Sequence, residues 1–180
     1  MNITVFGSSS PVPGDAAYEE ARQLGGLLAR AGHTVLTGGY MGTMEAVSRG
    51  VAEAGGHTIG VTCDQIEAWR QAKANPWVRE ERRFPTLRER LYCLIESCDA
   101  ALALPGGVGT LAEIAAMWSQ MQTRSMPARQ LILIGPGWQR TFQTMMAEMD
   151  GHIAAAHRQL LGFAADAAAA VALLKQTPAG

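Results

Sequence analysis

The chain has 180 residues, is 48% hydrophobic and carries a formal net charge of −1. That length suits one domain with a substantial core, and the near-neutral balance gives no electrostatic basis for binding nucleic acid or a membrane surface. The opening MNITVFGSSS has neither the basic start nor the apolar core of a secretory signal, and no apolar run approaches the roughly 20 residues that span a bilayer. Three cysteines (Cys63, Cys93, Cys98) match no zinc spacing, and four histidines are scattered, so the expectation is a reduced, cytoplasmic protein with no metal site and no cofactor.

In chain order, NITVFGS (2–8) reads as a strand. Asp15 is placed to cap a helix bearing Ala17, Ala21, Leu24 and Leu28 on one side and ending at Gly32. HTVLTGG (33–39) is a second strand, Met44, Val47, Val51 and Ala54 mark a second helix, and HTIGVTC (57–63) is a third strand. The polar stretch 64–85, rich in arginine and tryptophan, reads as a partly helical excursion over the active edge of a sheet. Thr86 with Glu89 forms a capping-box signature opening a helix with Leu87, Leu91, Leu94 and Cys98 inward. AALALP (100–105) is a strand and 110–124 a helix; QLILIG (130–135) is a strand and 138–149 a helix. LLGFA (160–164) is a short strand and 166–176 a last helix.

Strand–helix alternation with nearly continuous apolar strands predicts an α/β protein, a Rossmann-like doubly wound parallel sheet in a single domain, 1–180. Ligands in such sheets lie beyond the carboxyl ends of the strands. That rule selects GSSS (7–10), GGYMGTM (38–44), TCD (62–64) and PGGVGT (105–110).

PGGVGT places three glycines within four positions before a helix. Glycine lets backbone approach a ligand closely, and the helix start offers unpaired N–H groups and partial positive charge, a seat for an anion. No lysine follows, so it is not a P-loop, and the spacing is not GxGxxG; a monophosphate is the better-sized guest. The candidate phosphate-binding residues are Gly7, Ser8, Ser9, Gly38, Gly39, Gly42, Thr43, Pro105, Gly106, Gly107, Val108, Gly109 and Thr110. Thr110-Leu111-Ala112-Glu113 reads equally as a capping box and as a carboxylate presented to an uncharged part of a ligand, such as a sugar. Arg88 and Arg90, about 200° apart on a helix, flank its apolar stripe and do not serve one ligand together. Met117, Trp118 and Met121 read as core or a subunit contact.

PGGVGTLAE resembles the PGGxGTxxE signature of the LOG (Lonely guy) family of cytokinin riboside 5′-monophosphate phosphoribohydrolases. VFGSSS, GGYMGTMEAVSRGVAEAGGHTIGV and GHIAAAHRQLLGFAAD resemble other parts of it, so the likeness covers nearly the whole chain. It implies hydrolysis of the N-glycosidic bond of a nucleoside 5′-monophosphate, cytokinin-type or AMP-like, to free base and ribose 5-phosphate. It also implies a homodimer, with Arg90 and Glu113 as the catalytic pair. The family's MHxRK stretch is here Leu87-Arg88-Glu89-Arg90-Leu91, GGYMGTME lacks the usual third glycine, and 64–85 is unlike the plant-type enzymes. A non-catalytic nucleotide or phosphorylated-cofactor binder of the same fold is the alternative. Relatives labelled lysine decarboxylases are no guide here: a pyridoxal phosphate enzyme needs a Schiff-base lysine, and Lys73 and Lys175 both lie away from the strand-end turns.

Overall fold

In a computed structural model, which describes residues 1–174, the inner strands are apolar because parallel strands covered on both faces have no solvent side. β1 (Asn2–Phe6), β2 (Thr34–Thr37), β3 (His57–Cys63), β5 (Ala100–Ala103), β6 (Gln130–Ile134) and β7 (Leu161–Ala164) fall where the apolar runs predict. The helices between them are α1 (Ala16–Arg30), α2 (Thr43–Glu53), α4 (Leu87–Glu96), α5 (Val108–Gln122), α6 (Pro136–Glu148) and α8 (Ala167–Leu174). Positions 175–176 of the last predicted helix, and Lys175 with them, lie outside the described residues.

The sheet is all parallel with order β4-β3-β2-β1-β5-β6-β7, in which β4 is Glu80–Phe84. From β1 the chain builds outward to β4, then crosses back to lay β5 on the other side of β1 (Ile3 against Ala100). The direction of winding therefore reverses between β1 and β5, and a crevice opens there at the carboxyl ends. One face is covered by α1, α2 and α8, with Tyr18, Leu24, Leu28 and Val47 fully buried. The other is covered by α4, α5 and α6, with Leu94, Ile114, Met117 and Phe142. Trp118 belongs to this second core, edge-on to Phe142 at 5.8 Å with its indole N–H on the His157 carbonyl (2.7 Å).

The stretch 64–85 is more ordered than predicted. It holds α3 (Asp64–Arg70) and then a seventh strand, β4 (Glu80–Phe84), parallel to β3 with Ile59 opposite Glu80. EERRF escapes the apolar criterion because β4 is an edge strand whose charges find partners: half-buried Arg82 Nε reaches Glu80 (2.7 Å), and exposed Arg83 pairs with Asp64 (2.7 Å) and Glu67 (2.8 Å) of α3. A further one-turn helix, α7 (Ala155–Arg158), also goes unsignalled. Asp15 is the N-cap residue of α1, but its carboxylate accepts from the Val12 N–H (2.9 Å) rather than from the helix.

Candidate functional site

At the crevice, the turns after β1 and β5, the turn after β2, and helices α3 and α4 enclose a cleft of about 640 Å³. Gly7, Ser8 and Ser9 line it from β1, and Gly107, Val108, Gly109 and Thr110 from β5. Tyr40, Met41 and Met44 contribute from the β2 side, with Gln65, Ile66, Trp69, Arg70, Leu87, Arg90 and Glu113 around them. Gly38, Gly39, Gly42 and Thr43 do not line it and are buried beside it, and Pro105 and Gly106 are exposed outside its lining.

The second glycine turn is built into the wall by its own contacts. The N–H and hydroxyl of Thr43 both donate to the Ser8 carbonyl (2.8 and 3.1 Å), fastening the start of α2 to the β1 turn. Gly42 joins them with φ +76°, and a Cβ there would strike Ser8 and Ser9 backbone. The Gly39 carbonyl accepts from both the backbone N–H and the side-chain amide of Asn75 (2.8 and 3.1 Å). Pro105 and Gly106 are exposed, and the Trp138 indole holds the preceding Leu104 carbonyl from behind (2.9 Å).

Arg90 reaches the floor because of how α4 begins. The Thr86–Glu89 capping box forms as the spacing predicts, Thr86 Oγ1 accepting from the Glu89 N–H and Glu89 from the Thr86 N–H (both 3.2 Å). That phase turns Arg90 inward and leaves Arg88 exposed over Tyr92. It also leaves Leu87 50% exposed on the cleft, against the expectation that it packs inward; its N–H is held instead by Gln65 (2.8 Å). The Arg90 side chain is 7% exposed. Its Nε donates to the Val61 carbonyl (2.8 Å) and Nη2 to the Gly38 carbonyl (3.0 Å), with the guanidinium 5.5 Å over the Tyr40 ring. Gly38 must lack a side chain for this, since a Cβ would collide with Nη2. Tyr40 is fixed in turn by Cys63: its hydroxyl donates to the Cys63 carbonyl (3.1 Å) and accepts from the Cys63 N–H (2.8 Å).

Glu113 faces this guanidinium, Oε1 lying 4.0 Å from Nη1. The Thr110–Glu113 capping box does not form. α5 starts two residues earlier than predicted, with Gly107 as N-cap, so Glu113 falls in the second turn and points across to α4. Its side chain is 13% exposed. Burial pushes its carboxyl up to about 7, and the Arg90 charge only partly offsets this. The first-turn amides of α5, Val108 to Thr110, have no intrahelical acceptor and carry the positive end of the helix dipole. The site therefore combines an anion seat, a buried carboxyl that changes charge near neutrality, and a fixed cation. Among the described residues no group of three His, Cys, Asp or Glu could hold a metal ion.

The family model described as SLOG cluster4 matches residues 1–157. The chain belongs to the SLOG cluster4 family. A probable cytokinin riboside 5′-monophosphate phosphoribohydrolase of Oryza sativa subsp. japonica is 32% identical over 164 residues, 90% of this chain and 70% of that protein. The rice cytokinin riboside 5′-monophosphate phosphoribohydrolase LOG is 34% identical over 123 residues, 67% of this chain and 49% of its own length. The LOG resemblance carried by PGGVGTLAE is thus shown across the chain, although this chain spans only about half the length of several such relatives. Among solved structures, the molybdenum cofactor carrier protein of Chlamydomonas reinhardtii superposes with TM-score 0.73 at 26% identity, over 99% of this chain and 98% of that one. This SLOG chain has Arg90 and Glu113 together on one cleft floor. Sequence spacing missed Asn75, Trp69 and Arg70, whose types carry no motif and whose positions depend on how 64–79 folds back; Tyr40 lies in the selected turn GGYMGTM, but its place against Cys63 and Arg90 is tertiary.

Proposed function

We propose that this SLOG protein hydrolyses the N-glycosidic bond of a nucleoside 5′-monophosphate, cytokinin-type or AMP-like, releasing the free base and ribose 5-phosphate. The observation that carries the reading is the buried Arg90–Glu113 pair beside the helix start at Gly107–Thr110. The 5′-phosphate sits on the amides and hydroxyls of Gly7–Ser9 and Gly107–Thr110, and Gly38, Gly39, Gly42, Thr43, Pro105 and Gly106 hold those turns in place. With the phosphate there, the ribose lies over Glu113. As the C1′–N bond breaks, its electron pair leaves with the base and positive charge builds on the ribose ring, which the Glu113 carboxylate stabilises. The same carboxylate takes one proton of the water whose hydroxyl bonds to C1′, solvent protonates the departing base nitrogen, and Glu113 returns its proton to solvent, so that one water is consumed. Arg90, locked by two carbonyls, fixes the carboxylate and keeps its ionised form accessible near neutral pH.

The named activities of the rice relatives support this reading. The protein is proposed to work in the cytoplasm, where its three cysteines remain thiols. It is also proposed to pair as a homodimer through α4 and α5, which expose Leu87, Tyr92, Val108 and Leu111. Purified protein incubated with a panel of nucleoside 5′-monophosphates should release base and ribose 5-phosphate, and Glu113→Ala should abolish the release. The likeness to a molybdenum cofactor carrier favours one second reading, the non-catalytic holding of a phosphorylated ligand. Tight phosphate-dependent binding with no base released from any nucleotide would establish that reading instead.

A further inference from the structure

Resting on the phosphate-binding reading above, we propose that Arg70 is the residue that grips the ligand's phosphate, with Trp69 as the platform that positions it. Among the described residues, three charged side chains line the cleft: Arg70, Arg90 and Glu113. Arg90 is committed, with Nε and Nη2 on backbone carbonyls and Nη1 toward Glu113. The seat formed by the strand-end turns is made of neutral amides and hydroxyls, and a phosphate monoester brings about −1.5 to −2 charge. The counter-charge must come from elsewhere in the lining.

Arg70 is placed to supply it. It lies in α3, across the cleft from the β1 turn, and its Nη1 donates to Ser9 Oγ at 2.6 Å. That hydroxyl belongs to the turn assigned to the phosphate, so the guanidinium already stands at the phosphate seat. Its present partner is neutral; a phosphate oxygen offers a charge-assisted and forked interaction in its place. The exchange needs only rotation of an exposed side chain. The guanidinium also rests 4.5 Å over the Trp69 ring, a cation–π contact that keeps it turned into the cleft. This accounts for an indole left 73% exposed on the cleft wall.

The test is isothermal titration with AMP, ribose 5-phosphate and adenosine, with Glu113→Gln in every protein so that no ligand turns over, comparing the otherwise wild-type chain with Arg70→Ala, Arg70→Lys and Trp69→Ala. Because hydrogen bonds to charged groups contribute about 1.5–3 kcal/mol, Arg70→Ala should weaken AMP and ribose 5-phosphate roughly 10- to 100-fold and leave adenosine unchanged. Arg70→Lys should recover part of the loss, and Trp69→Ala should weaken the phosphorylated ligands by a smaller factor. Unchanged AMP affinity in Arg70→Ala, with the otherwise wild-type chain still preferring AMP over adenosine, overturns the Arg70 assignment and leaves the glycosidase reading standing. Equal loss for AMP and adenosine also overturns it, since that is a structural effect. If the otherwise wild-type chain binds AMP no better than adenosine, the phosphate seat itself is refuted, and the Arg70 grip with it.

Discussion

Glu113→Gln tests the electrostatics of the cleft floor without touching its shape. An unfolded Glu113 titrates near 4.5, whereas burial holds the folded carboxyl at about 7. Between those values the unfolded chain has lost a proton that the native state still keeps, so native stability falls as pH rises. The slope approaches about 1.4 kcal/mol per pH unit, and the full penalty, on the order of 3 kcal/mol, is present above pH 7. Glutamine stands in for the protonated acid at every pH. The variant and wild type should therefore lie within about 1 kcal/mol of each other at pH 5, and the variant should be clearly the more stable by pH 8.5. At roughly 2–4 °C per kcal/mol for a chain of this size, the gap should reach about 5–10 °C. Differential scanning fluorimetry across pH 5–9 reads this directly, and the same variant should lose about 10²- to 10⁴-fold in base release. A melting difference that stays flat with pH would refute the claim that burial controls this carboxyl.

The remaining predictions follow from the supports of that floor. Arg90→Ala removes the hydrogen bonds to the Val61 and Gly38 carbonyls and leaves Glu113 without its cation, so it should destabilise by about 3–5 kcal/mol in denaturant titration and move the Glu113 titration further up. Tyr40→Phe removes both hydrogen bonds to Cys63 and should lose about 1–3 kcal/mol, with urea unfolding as the measure. Gly42→Ala forces a left-handed backbone and a Cβ into the β1 turn; AMP affinity measured by calorimetry should fall together with melting temperature. Since the carboxylate is the active form, kcat/KM for nucleotide hydrolysis should rise with pH through about 7 in steady-state assays.

The amino-acid order alone determined whatever depends on neighbours a few positions apart. Six apolar strands, the Thr86–Glu89 cap and the glycine turns are readable because strand periodicity, helix capping and turn chemistry act over one or two turns of chain. The signature PGGVGTLAE also carried the family. Tertiary structure decided everything set by the sheet order. Laying β5 beside β1 opened the crevice, brought Arg90 of α4 within 4.0 Å of Glu113 of α5, and removed enough water to move that carboxyl toward neutrality. Whether Glu113 capped its own helix or crossed to another was undecidable from spacing, because it turned on where α5 began and what lay opposite. β4 was illegible because an edge strand needs no apolar run. Trp69, Arg70 and Asn75 acquired their places only when the polar stretch before β4 folded back over the rim, a long-range arrangement that no local pattern encodes.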